Sequence, residues 1–391
     1  MRNAVVVGNS LQILGPVMLA IRSFSHAKIN VIGNDSTRSI RWSLLCDHWE
    51  RQSLSADEDP ELLSVLKILC ADDHPARIIA ADCEAARALN RLRPFLPAPL
   101  SPMPSSDQLS MLEDKWQFHR LCQRQGLPTP LTIRFDDKQA LRYEMLASIL
   151  GTTFVIKPST LAGSQGVRII RSKAMFESEI LQSKDYQFSP LLAQEYIPGE
   201  DIDISLLAVK GEIMTLATQQ VTGSVVRFVS QPQMEAMARI LCTAVGYDGV
   251  MHVDARIDRS SGRIWLIESN PRFWASLTAA LWCGLNFVQE SLRHVRETEH
   301  AAGPLRLAQG RAHTRYPLLR QDSFRCLLSR GSRGRLIRWL VLDPWRVAQL
   351  AIDLSGLLLK RARAVVPRLQ QVTPPWREKF LRHMVSKCNL R

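Results

Sequence analysis

His252-Val253-Asp254-Ala255-Arg256 and, after a turn at 258–262, Arg263-Ile264-Trp265-Leu266-Ile267-Glu268-Ser269-Asn270-Pro271-Arg272 decide how this chain is read. Each run has the β-branched, apolar character of a strand, and the Asp-Arg-Ser-Ser-Gly between them has turn chemistry. Side chains alternate across a strand, so His252, Asp254 and Arg256 share one face and Glu268 and Asn270 share another. Pairing of the two strands brings Asp254 to Glu268 and Asn270. Two carboxylates and an amide oxygen are hard ligands suited to Mg²⁺. A surface hairpin with salt-bridged charges is the plain alternative. However, Glu268 is flanked by Trp265-Leu266-Ile267 and Asn270-Pro271, which predicts burial, and a buried carboxylate without a partner is costly. Asp254, Glu268 and Asn270 are therefore the candidate metal ligands, and Arg272 is placed to clamp a phosphoryl group.

Two earlier segments fit the same chemistry. In Phe154-Val155-Ile156-Lys157-Pro158, a strand delivers Lys157 into the small-residue loop that holds Gly163-Ser164-Gln165-Gly166. Glycines let backbone N–H groups approach phosphates, and a lysine neutralises their charge. No GK[ST] follows and a strand comes next, so this is not a Walker loop; taken alone, the segment is better read as an ordinary hairpin turn. In Gln194-Glu195-Tyr196-Ile197-Pro198-Gly199-Glu200-Asp201 a strand ends in a Pro-Gly turn flanked by acids. Such a connector can offer main-chain groups to an adenine edge and a carboxylate to ribose hydroxyls, or be an ordinary solvated turn.

Further out, strands at 4–8, 29–33 and 78–81 alternate with helices at 11–24, 61–71 and 83–92. That pattern predicts an α/β unit with a parallel, doubly wound sheet. Gly8 and Gly15 form no GxGxxG, so dinucleotide binding has little support. Pro94, Pro97, Pro99, Pro102 and Pro104 mark an interdomain linker. Beyond it one helix is predicted over 108–125, others over 139–150, 173–182 and 232–245, and strands over 132–135, 154–157, 167–171, 191–196, 202–209 and 212–218. This second succession is α+β.

The 391 residues are 46% hydrophobic and 22% charged, as in a globular protein. No apolar run is long enough to span a bilayer, and the N-terminus is too quickly polar for a signal peptide. The eight cysteines show no CxxC or zinc spacing, which points to reduced thiols in a cytoplasm. The net charge of +13 is unevenly spread. Residues 1–304 are nearly neutral, whereas 305–391 hold 19 Lys+Arg against 4 Asp+Glu.

Taken in order, these segments resemble the ATP-grasp superfamily, in the branch of carbamoyl-phosphate synthetase, D-alanine–D-alanine ligase and related carboxylate–amine ligases. The resemblance covers roughly residues 1–300. It implies an N-terminal Rossmann-like domain (1–106), a lid with the glycine-rich loop (107–190), a metal-binding domain (191–304) and a basic, mainly helical extension (305–391). Within it Asp114-Lys115 matches the first nucleotide lysine and Lys157 the second. Gly163, Ser164, Gln165 and Gly166 match the loop over the phosphates, and Glu195, Tyr196 and Ile197 the hinge that holds adenine. Asp201 stands where the ribose-binding acid is commonly Glu. Asp254, Glu268 and Asn270 match the metal triad, and Asn270-Pro271-Arg272 the signature that ends it. Arg256 stands where an apolar residue is common, reaching the acyl substrate or pairing with Asp254. The implied cofactors are ATP and Mg²⁺, two ions, with Mn²⁺ as a substitute. The implied reaction activates a carboxylate as an acyl phosphate and joins it to an amine, or less often a thiol or hydroxyl. Lys157, Asn270 and Arg272 are its catalytic candidates. A kinase on the same fold and a non-catalytic nucleotide-binding regulator are the alternatives.

The basic region lies beyond the resemblance. Segments 334–342 and 345–364 read as amphipathic helices rich in Arg, with Trp339 and Trp345. Such helices either pack on the enzyme with a solvated basic face or lie on an anionic membrane at the inner surface of the cell. A polyanionic substrate is a further partner; nucleic acid is disfavoured, because no recognition motif accompanies the charge.

Overall fold

The structure is a computed structural model that describes residues 2–71, 76–161, 163–222, 225–294, 306–313, 331–345, 347–348, 351 and 355. Its first unit alternates β1 (Asn3–Val7), α1 (Leu11–Phe24), β2 (Lys28–Gly33), β3 (His48–Arg51), α2 (Asp59–Cys70), β4 (Ala76–Ala80) and α3 (Cys83–Arg91). The four strands form a parallel sheet in the order β3-β2-β1-β4. Successive residues of β1 face opposite layers: Ala4 and Val6 pack with α1, Val5 and Val7 with α2 and α3. This is the doubly wound arrangement expected from alternation. β3, His48-Trp49-Glu50-Arg51, has no apolar run to betray it, because it is a half-exposed edge. The proline-rich segment forms no helix or sheet interior beyond a short 3₁₀ turn, yet Leu100 adds one parallel bridge to Ile78 at the open edge of β4.

Beyond it, α4 (Ser106–Glu113) and α5 (Lys115–Arg124) replace the single helix expected over 108–125. The apolar periodicity runs through both, but Asp114 leaves helical geometry with ψ 117° and accepts from Gln117 N as the N-cap of α5. A second sheet, in the order β5-β8-β6-β7, is antiparallel. It is built from β5 (Thr132–Phe135), β6 (Phe154–Pro158), β7 (Arg168–Ile170) and β8 (Leu191–Glu195). α6 (Tyr143–Leu150) and α7 (Lys173–Phe176) cover it around a small core of its own.

The third sheet holds β9 (Gly199–Val209), β10 (Glu212–Thr222), β11 (Val225–Val229), β12 (Gly249–Asp258) and β13 (Ile264–Asn270) in the order β13-β12-β9-β10-β11. α8 (Pro232–Val245) packs on one face; Pro at its start and Gly246 at φ 57° after its end are the expected start and stop signals. α9 (Leu277–Trp282) and α10 (Phe287–His294) lie against the other face and against α1, so a single core joins this sheet to the first unit. That double contact explains why α1 is buried almost all round.

The basic region begins with strands rather than helix. β14 (Arg306–Leu307) pairs β10 and β15 (Gly310–His313) pairs β11. α11 (Ser332–Leu342) then packs on α1 and α9, close to the helix expected over 334–342. Most of the helix expected over 345–364 lies outside the described residues. Among the described residues no helix is long and apolar enough to cross a membrane.

Candidate active site

β12 and β13 pair as the sequence suggested, with Asp254 opposite Glu268 and His252 opposite Asn270. On its other side β12 pairs β9 so that Asp201 faces Arg256, Asp203 faces Asp254 and Ser205 faces His252. One face of three adjacent strands is therefore polar, while Ile202, Ile204, Val253 and Leu266 of the opposite face fill the core under α8.

Lys115 reaches this floor because α4 breaks at Asp114. Asp114 accepts from Ser159 Oγ at 2.7 Å, and Lys115 N donates to Ser159 O at 2.9 Å, which anchors the start of α5 to the end of β6. The side chain then bonds the Leu161 carbonyl and lies 3.6 Å from Glu268 Oε2. Lys157, on β6, is only 3% exposed. Burial lowers its pKa to about 8, with Lys115 adding to the shift and Glu268 and Asp254 opposing it. Burial and the charge of Asp254 push the Glu268 carboxyl above its ordinary value against the pull of both lysines. Asp254, whose side chain keeps 34% of its surface open toward the cleft, moves the other way. Burial favours its neutral form, but His252, 3.1 Å away, outweighs it.

Asn270 Nδ2 donates to Asp254 Oδ2 at 3.0 Å, and its Oδ1 accepts from Arg272 at 2.9 Å. Arg272 also bonds the Phe273 carbonyl at 2.8 Å, so its guanidinium is fixed beside the acids. The donor set suits a hard divalent cation: two acids in register, with an amide oxygen adjoining.

Above the floor is a cavity of about 420 Å³ between the second and third sheets. Lys115, Lys157, Ser164, Glu195, Tyr196, Ile197, Asp201, Asp254 and Glu268 all line it. Val155, Ile169, Val221 and Ile267 give it apolar walls. Gly163, Gln165, Gly166, Asn270 and Arg272 are not part of that wall. The glycine-rich loop is held in left-handed geometry, with φ 68° at Gly163, 61° at Ser164 and 72° at Gly166. At Gly166 a Cβ would meet Pro158 and Phe188 at 2.7 and 2.8 Å, so glycine is required there for space as well as for φ.

Arg256 does not pair with Asp254. It donates to Asp201 at 2.7 Å and to the Gly199 carbonyl at 2.6 Å, and lies over the Tyr196 ring at 5.7 Å. The acid expected to meet ribose is thus tied to β12. Asp203 and His252 had no assigned role, yet with Asp254 their ligand atoms lie within 4.8 Å of one another. Asp203 is pushed up to about 7 by burial, reinforced by Asp254 and opposed by His252. Burial acts to lower the His252 pKa, but Asp254 and Asp203 prevail and raise it. The visible signal for Asp203 was a polar residue at every second position, 201, 203 and 205, in an otherwise apolar strand.

The family described as the ATP-grasp domain matches residues 112–276, the segment that supplies both lysines, the loop, the connector and the acids. Residues 112–276 are an ATP-grasp domain. The arginine-specific large chain of carbamoyl phosphate synthase from Bacillus subtilis is 26% identical over 185 residues, 43% of this chain and 17% of that protein. D-alanine–D-alanine ligase from a Synechococcus strain is 24% identical over 185 residues, 43% of this chain and 56% of the ligase. The chain spans about half or less of the length of these curated relatives. An Aspergillus clavatus carboxyaminoimidazole ribonucleotide synthase, solved with ATP, shares the ATP-grasp fold at TM-score 0.58 and 17% identity, over 77% of this chain and 78% of that one.

Proposed function

We propose that the protein is an ATP-dependent ligase that activates a substrate carboxylate as an acyl phosphate and transfers the acyl group to an amine, releasing ADP and phosphate. The observation that carries this reading is the meeting of buried Lys115 and Lys157 with the facing carboxylates Asp254 and Glu268 at the base of one cavity. In this reading 1–106 is the preceding α/β domain, 107–190 the lid and 191–304 the metal-binding domain.

Adenine lies between the apolar walls of Val155, Ile169 and Ile267, with its edge on the backbone of Glu195–Ile197. Asp201, held by Arg256, meets the ribose. Lys115 and Lys157 neutralise the phosphates, and the 163–166 loop closes over them to exclude water from a reactive intermediate. Asp254, Glu268 and Asn270 would hold Mg²⁺, as two ions, or Mn²⁺ in its place, and the metal would supply neutralisation of the phosphate charge. The substrate carboxylate attacks the γ-phosphorus as the bond to the bridging oxygen breaks and ADP leaves. The amine then attacks the acyl carbon, the C–O bond breaks, phosphate departs and the amine loses a proton. Arg272 stabilises the oxyanion that forms between these events.

Incubation with ATP, Mg²⁺, hydroxylamine and a panel of amino, hydroxy and fatty acids tests this directly. A hydroxamate formed together with ADP supports acyl activation and names the acid. ADP release with a stable phosphorylated acceptor and no hydroxamate would assign a kinase instead, and tight ATP binding without turnover a regulator.

A further inference from the structure

The first unit and the basic region meet at a buried acid. Asp343, which is 0% exposed, accepts from Ser43 Oγ at 2.6 Å, from Leu44 N at 3.2 Å and from Trp345 N at 3.2 Å. Each side of this junction carries apolar side chains into solvent. Next to Ser43 stand Trp42, 65% exposed, and Leu44, 54% exposed. Next to Asp343 stand Leu342, 64% exposed, and Val341. Val347, whose N–H bonds the Asp343 carbonyl, is 45% exposed. Five of the thirteen large exposed apolar residues among those described thus gather on two short segments that touch. Scattered exposed leucines need no explanation, but such a cluster marks an interaction surface.

The unpaired charge around the cluster is mainly positive. Arg38 and Arg41 are exposed on the 3₁₀ segment Asp35–Trp42, and Arg41 lies over the Trp42 ring at 4.7 Å. Arg335 is exposed and Arg338 half-buried on α11. The acids in these two segments are engaged elsewhere: Asp35 with Arg51 and Asp343 inside the junction. The cluster also stands at the head of the sequence that carries the protein's whole basic excess, 19 Lys+Arg against 4 Asp+Glu over 305–391. None of the side chains in the cluster lines the ATP cavity.

We infer that the face around the Ser43–Asp343 junction docks on an anionic lipid bilayer. Trp42, Leu44, Leu342 and Val347 enter the headgroup boundary, where an indole with its apolar body and polar N–H is well suited. Arg38, Arg41 and Arg335, with the basic sequence that follows, meet the lipid phosphates. A protein partner has no equal claim: Asp35 and Asp47 beside the patch are paired with Arg51 and Arg22, which leaves a mainly cationic rim that complements a charged surface rather than a mixed one.

Flotation of the full-length protein with vesicles tests this. Binding is expected with phosphatidylcholine–phosphatidylglycerol vesicles, falling as salt is raised, and not with phosphatidylcholine alone. Trp42→Ser with Leu342→Ser, both on exposed sites with an unchanged melting temperature, is expected to weaken binding at least roughly tenfold. Arg38→Gln with Arg41→Gln should weaken it roughly twenty-five-fold, at about fivefold for each charge. Brominated lipids should quench the wild type more than Trp42→Phe, a replacement too mild to disturb folding. No flotation, equal flotation with neutral vesicles, or equal quenching of the two proteins overturns the proposal. So does undiminished binding of the double Ser variant, which would leave the attraction to the basic sequence alone. A dimer abolished by the same variant, without flotation, would assign the face to a second copy.

Discussion

Lys115 Nζ lies 3.6 Å from Glu268 Oε2, so the first residue of α5 and the last residues of β13 close the cavity floor together. Lys115 is buried and Glu268 keeps 21% of its side chain open, and burial together with Asp254 opposite it raises the Glu268 carboxyl. A charge in this position has value only when cations complete it.

Glu268→Gln keeps the shape of the side chain and removes its charge. It is expected to reduce ATP-dependent ADP release at least a hundred-fold, as losses at positions that stabilise transition-state charge do. The fold should survive, because the amide can still accept from Lys115. Asn270→Ala should act likewise, since it frees Asp254 and Arg272 together. Steady-state ADP release alongside circular dichroism checks both; unchanged turnover in either would remove that residue from the site.

His119 provides a pH signature separate from the catalytic floor. It is 2% exposed, touches Thr129 Oγ1 at 3.2 Å, and burial lowers its pKa to about 4 from 6.5. The unfolded chain therefore binds more protons than the folded one between those values, and stability falls as pH drops from 6.5 toward 4. One proton corresponds to a slope of about 1.4 kcal/mol per pH unit. His119→Gln should lose that part of the slope. Urea melts of both proteins across this range, giving parallel pH dependences, would show that His119 takes up its proton as readily folded as unfolded.

Much of this site was legible because its signals are local. Asp254 and Glu268 sit in one hairpin whose turn and alternation fix their register, and Lys157 leads directly into its loop. What stayed hidden depends on partners distant in sequence. Asp203 gains its meaning only because β9 pairs β12, and Arg256 chooses Asp201 over Asp254 only because that pairing sets them opposite each other. The break at Asp114 was masked for another reason. Apolar residues keep helical spacing on both sides of it, so periodicity alone cannot reveal a capping aspartate bonded to Ser159 on a different sheet.

Gly199 begins β9 so close to β12 that a Cβ would lie 1.8 Å from the Ile257 carbonyl oxygen. Gly199→Ala must therefore push the two strands apart just where Asp201 and Arg256 meet. A loss of roughly 3 kcal/mol or more is expected, in the range of severe overpacking. Gly262 at φ 67° has nothing within 4 Å of the same position, so Gly262→Ala should cost only about 1 kcal/mol of backbone strain. Thermal melts of the two variants, if they shifted equally, would mean the strands yield freely.

Arg256 holds the connector by three means: Asp201 at 2.7 Å, the Gly199 carbonyl at 2.6 Å and the Tyr196 ring. All three partners belong to the segment proposed to seat the nucleoside, and none belongs to the acids at the floor. Arg256→Met preserves much of the stem while removing the donors. The nucleoside should then bind a looser connector, while the phosphates still meet Lys115 and Lys157. The expected result is a KM for ATP raised about tenfold with kcat little changed, the pattern of lost uniform binding. Arg256→Lys should recover little, because a single ammonium cannot reproduce the fork that spans a carboxylate and a carbonyl. A fall in kcat at unchanged KM would instead move Arg256 to the acyl substrate, the other role its position on the cavity wall permits.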